Sequence, residues 1–98
     1  MIILEIFGYL KSKGITANES EFSEHWLGAS ESYLRKLRSA QTEPSLGMVA
    51  ICASRLMNAA EQLSALPRYQ NVAKQLTAMS SKCRELVDAD SVEFDLTT

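Results

Sequence analysis

The chain has 98 residues, 46% of them hydrophobic and 22% charged, which suits one globular domain and argues against a disordered chain. No apolar run reaches 18 residues, so no transmembrane span is expected, and two cysteines cannot form a disulfide framework. The formal net charge of −2 hides an uneven distribution. Residues 85–98 hold five acids (Glu85, Asp88, Asp90, Glu93, Asp95) and no base. Ten basic residues against seven acidic ones then remain in 1–84, a net +3. The first residues, Met1-Ile2-Ile3-Leu4-Glu5, lack a basic stretch and carry an early acid, so no export signal is expected. The expected compartment is the cytoplasm, with its thiols reduced.

Helical periodicity runs almost throughout, and sparse aromatics with only two prolines agree with it. A first helix is predicted from Ile3, Ile6, Phe7 and Leu10, ending at Lys13-Gly14. A second begins at Asn18, whose side chain caps with Glu21 three residues on, and places Phe22 and Trp26 in the core. Gly28 breaks it and is free to take a positive φ. Ser30 is expected to cap a short third helix, where Tyr33, Leu34 and Leu37 form the apolar stripe and which ends near Ala40. Pro44 disfavours helix at Glu43, and a fourth helix starts near Ser45. That helix is apolar on most sides, from Leu46 to Met57, and is expected to be surrounded by protein.

Pro67 suits the first turn of a fifth helix. Its Tyr69, Val72, Leu76, Met79, Cys83 and Leu86 recur at spacings of 3 and 4, a narrow seam for one long partner helix. Helix four, through Leu56, Ala60, Leu63 and Leu66, offers an antiparallel hairpin; a second chain is the other candidate. The expected organisation is one helical domain over 1–87 and an acidic tail over 88–98. In the tail, Val92, Phe94 and Leu96 alternate with polar residues, as in a solvated tail, a short strand or a docking peptide. The fold class is therefore all-α, with about five helices.

Catalytic chemistry finds no footing. His25 is the sole histidine and has no second ligand at metal spacing, so no metal is expected. Cys52 and Cys83 read as small core residues. No G-x-S-x-G, Walker loop or G-x-G-x-x-G occurs, so neither an enzyme nor a bound cofactor is expected. The acids Glu19, Glu21 and Glu24 read as a solvated face.

One constellation stands out: a short helix, a glycine turn, a second short helix with Arg35-Lys36-Leu37-Arg38, then Glu43-Pro44-Ser45 opening a longer helix. Leu34 and Leu37 hold the second helix while its other positions stay polar and basic, the pattern of an element that enters a DNA major groove. The plainer reading is a basic surface helix kept in water. Residues 19–56 resemble the helix-turn-helix domain of the lambda-repressor/Cro-like family. Phe22-Ser23 stand for its Leu-Ala, Leu34 and Leu37 for the recognition-helix anchors, and Pro44-Ser45 for the last cap. The turn is one residue longer than the family's, Arg38-Ser39-Ala40 replaces its usual ending, and Ser20 and Glu31 stand near its common glutamines.

That resemblance implies a helix-turn-helix over 19–39, followed here by a C-terminal helical hairpin. It further implies a small transcriptional regulator that binds double-stranded DNA as a homodimer. Ser30, Glu31, Ser32, Arg35, Lys36 and Ser39 would face the groove, and Arg38 would join Lys36 in neutralising phosphates. The alternative is a helix-turn-helix derivative that binds a protein partner and has given up DNA, which the net negative charge favours.

Overall fold

A computed structural model describes residues 1–97, with side chains through Ala89. Five α-helices and one 3-10 turn make up its regular structure, with no strand among the described residues. The helices are α1 (Ile2–Ser12), α2 (Glu19–Leu27), α3 (Tyr33–Ala40), α4 (Leu46–Ser64) and α5 (Gln70–Thr97). The all-α expectation holds. The chain forms two compact units, Met1–Ile51 and Cys52–Thr98, which divide inside α4.

In the first unit, Ile3, Ile6 and Leu10 recur on one face of α1 and are buried. The helix stops where Gly14 takes φ +71°, letting the Ile15 amide donate back to the Leu10 carbonyl at 2.9 Å. Asn18 is extended, and its Oδ1 accepts the Glu21 amide at 2.9 Å, the expected N-cap of α2. The α2 core is Phe22, Ser23 and Leu27. Trp26, predicted as a core contact, is only half-buried. Phe22 meets Phe7 of α1 edge to face, with ring centroids 5.4 Å apart.

Three predicted details change. The third helix starts at Tyr33, not beside Ser30, which instead contributes its carbonyl to the Tyr33 amide at 3.0 Å. Helix α4 is not surrounded by protein: Leu46 and Ile51 are each 38% exposed. Its buried stripe, Val49, Cys52, Ala53, Leu56 and Ala60, lies on one side, so an apolar composition conceals a one-sided burial. Pro67 opens a 3-10 turn ahead of α5 (Pro67–Tyr69), after an extended Leu66, as the restriction on pre-proline residues requires.

In the second unit, α4 and α5 form the antiparallel hairpin. Ser80 Oγ donates to the Ala53 carbonyl at 2.7 Å, and Arg84 Nη2 to Ser54 Oγ at 3.5 Å. The α5 stripe is Ala73, Leu76, Met79, Ser80 and Cys83. Leu86, placed in the predicted seam, is 48% exposed, while the small residues Ala73 and Ser80 are buried in its stead. Small side chains let helix backbones approach closely, and the Ser80 hydroxyl is satisfied only by that approach. Helix α5 continues to Thr97. The tail pattern read from Val92, Phe94 and Leu96 concerns side chains outside the described residues.

Candidate nucleic-acid interface

Helix α3 has only eight residues, too few to be stable by its own backbone bonds. Two buried leucines and a buried hydrogen bond hold its inner side. Leu34 and Leu37 are buried on one side. The third contact is polar: the Leu34 amide, an orphan donor in the first turn, donates to the buried Ser23 Oγ of α2 at 3.1 Å. The cap of α3 therefore comes from the preceding helix. Ser32, its N-cap residue, makes no side-chain cap.

The connecting turn allows this. Gly28 sits at φ +64° and ends α2, with the Ala29 amide donating to the Ser23 carbonyl at 3.0 Å. Ser23 thus closes α2 with its backbone and opens α3 with its hydroxyl. At the far end, Gln41 takes φ +53°, and the Thr42 amide donates to the Leu37 carbonyl at 3.2 Å.

With Leu34 and Leu37 inward, successive helical steps of about 100° put Arg35, Lys36 and Ser39 on the outward face. All three are exposed. Arg38 falls on the flank instead. Its Nη1 lies 2.7 Å from Glu19 Oε1 of α2, so this cation is paired with a carboxylate. Ser30 and Glu31 are exposed in the turn before the helix, and Ser32 is half-buried. The predicted set therefore divides: an outward face of Arg35, Lys36 and Ser39, a turn of Ser30, Glu31 and Ser32, and a paired Arg38.

Two residues of this arrangement were not read as site residues. The sequence pattern places Glu19 on a solvated face, yet it neutralises Arg38. Ser23 was read only as a stand-in for a small family residue. Its signal was a polar residue directly after Phe22, within the buried register of α2.

Elsewhere, among the described residues, no group of three or more His, Cys, Asp or Glu side chains could hold a metal ion. An open cleft of about 380 Å³ between α4 and α5 is lined by Met57, Ala60, Ala73 and Thr77, with Glu61 and Lys74 among its charged residues. No described helix is long and apolar enough to cross a membrane.

Comparison with protein families places residues 3–95 in a family of unknown function, DUF6626. The chain belongs to the DUF6626 family. The match runs from the first turn of α1 almost to the end of α5, so this DUF6626 chain has both its α2–α3 pair and its α4–α5 hairpin inside the family's boundaries. Comparisons with curated proteins and with solved structures find no match.

Proposed function

We propose that the protein is a small DNA-binding transcriptional regulator of the cytoplasm, acting as a homodimer with α3 in the major groove of double-stranded DNA. The observation that carries this reading is the division of α3. Its inner side is pinned by Leu34, Leu37 and the Ser23 hydroxyl, and its outer side presents Arg35, Lys36 and Ser39. A rigid helix with cations on its outward face can offer Arg35 to a guanine edge or a phosphate, and Lys36 to phosphate. Ser30, Glu31 and Ser32, at the N-terminal end of the same helix, would meet the groove floor first, as recognition-helix starts do. The reading involves no catalytic step and no cofactor.

The test is titration of the protein with duplex pools of genomic fragments at about 50 mM salt. Each phosphate-neutralising residue adds roughly 0.9 to the slope of log affinity against log salt. Replacing Arg35 and Lys36 with Ala should flatten that slope by up to about two. A protein that binds no duplex at this salt lacks the function.

A second reading, a helix-turn-helix derivative that recognises a protein, is favoured by the Glu19–Arg38 pair. One of three α3 cations is already neutralised, and the whole chain is net acidic. Under that reading the Arg35 and Lys36 substitutions leave duplex affinity at its background value and weaken capture of one defined protein.

A further inference from the structure

Cys52 of α4 and Cys83 of α5 are the two cysteines of the chain, and both are fully buried. They come from opposite arms of one hairpin, and the register brings them together. Ser80 Oγ reaches the Ala53 carbonyl at 2.7 Å, which a side chain of one carbon can do only where the two backbones run close. From that contact, one residue back along α4 is Cys52, and one helical turn on along α5 is Cys83. In an antiparallel pair those two steps go in the same direction. Each thiol lies near enough to the other to shift its ionisation, upward at Cys52 and downward at Cys83.

We infer that Cys52 and Cys83 are a dithiol that closes reversibly to an intramolecular disulfide, stapling α4 to α5. Close helix approach favours a disulfide between them, and because both thiols are fully buried, the oxidant reaches them through local opening of the hairpin. The chemistry is a two-electron oxidation by a peroxide. The Cys83 sulfur attacks one peroxide oxygen, the O–O bond breaks, and a sulfenic acid and one water result. The Cys52 sulfur then attacks that sulfenic sulfur, its S–H proton leaves with the displaced hydroxyl as a second water, and the S–S bond forms. Two thiols and one hydrogen peroxide give one disulfide and two waters. Cys83 is the better first nucleophile. The bond from the Cys52 thiol pulls the Cys83 pKa below the ordinary thiol value, burial opposes that shift, and the nearby Arg84 cation adds to the lowering.

In a reducing compartment the pair rests as dithiol, and a disulfide there is transient and responds to oxidant. The bond would close a loop across the whole α4–α5 turn, so its effect is read as thermal stability of the hairpin. The full-length protein is treated with hydrogen peroxide in modest excess, and folded protein is then analysed by intact mass, by thiol alkylation after unfolding, and by thermal melting. The expected result is a loss of about 2 Da, no alkylatable thiol, a monomeric chain on non-reducing gels, and a Tm raised by roughly 10 °C or more. Dithiothreitol should restore both thiols and the original Tm. The Cys52→Ser and Cys83→Ser variants should show neither the mass loss nor the Tm rise. Two thiols still alkylatable after peroxide treatment, or crosslinks only between chains, would overturn the inference.

Discussion

The hydroxyl of Ser23 in α2 accepts the backbone amide of Leu34 in α3 at 3.1 Å, with both residues fully buried. One side chain thereby does what an N-cap normally does, from another helix and eleven residues away. The bond fixes α3 against α2 at the end of the helix that presents Arg35 and Lys36. Orientation of the candidate interface therefore rests on a neutral hydrogen bond together with two leucines.

Ser23→Ala should destabilise the fold by about 1–3 kcal/mol, because it leaves the Leu34 amide buried without an acceptor. Ser30→Ala and Ser32→Ala should each stay within about 0.5 kcal/mol, since α3 takes no side-chain cap from Ser32 and begins beyond Ser30. Urea denaturation of the three variants separates the two outcomes. Equal losses at Ser23 and Ser30 would return the cap to the local serine.

Glu19→Gln should strengthen duplex binding and steepen its salt dependence. The Glu19–Arg38 pair is half-exposed on the arginine side, and such pairs contribute only about 0–1 kcal/mol. Stability should therefore change little. Releasing Arg38 to phosphate would add roughly 0.9 to the salt slope. Fluorescence anisotropy over a salt series measures it, and an unchanged slope would leave Arg38 outside the interface.

Along α5, Leu76→Ala should cost about 2–5 kcal/mol, as a fully buried leucine, and Leu86→Ala no more than about 1 kcal/mol. The contrast tests the observed seam against the sequence pattern, which treats the two positions alike. Thermal or chemical melts monitored by helicity give both numbers.

Thr16 is 2% exposed, and its Oγ1 has no hydrogen-bond partner among the described residues. A valine has the same shape without the hydroxyl. Thr16→Val should raise stability, by up to about 1–3 kcal/mol, by removing an unpaired buried polar group. A lower denaturation midpoint in the variant would mean that the hydroxyl is satisfied in solution.

Most of the α2–α3 framework is legible in the sequence. Asn18 as a cap, Gly28 at a positive φ, and Leu34 with Leu37 as anchors all follow from short-range chemistry: a side chain bonding its own helix start, a missing Cβ, a 3.6-residue period. The misreadings share a cause. Ser30 has the chemistry of a local cap, Leu86 fits a heptad count, and α4 is apolar on most sides. Each judgement used composition within one element, where the outcome depended on a neighbour. The Arg38 charge is cancelled by Glu19, nineteen residues away in the chain.

Sequence alone determined where the helices lie, their main caps and breaks, and that this is an all-α chain, because backbone propensity and apolar period act over a few residues. Only the tertiary structure decided which serine caps α3, which α3 cation is paired, which side of α4 meets water, and that Cys52 faces Cys83. Those relationships join residues 11, 19 and 31 positions apart, or depend on which neighbour covers a face. No local pattern encodes such meetings. They exist only once close packing has brought one helix to rest against another.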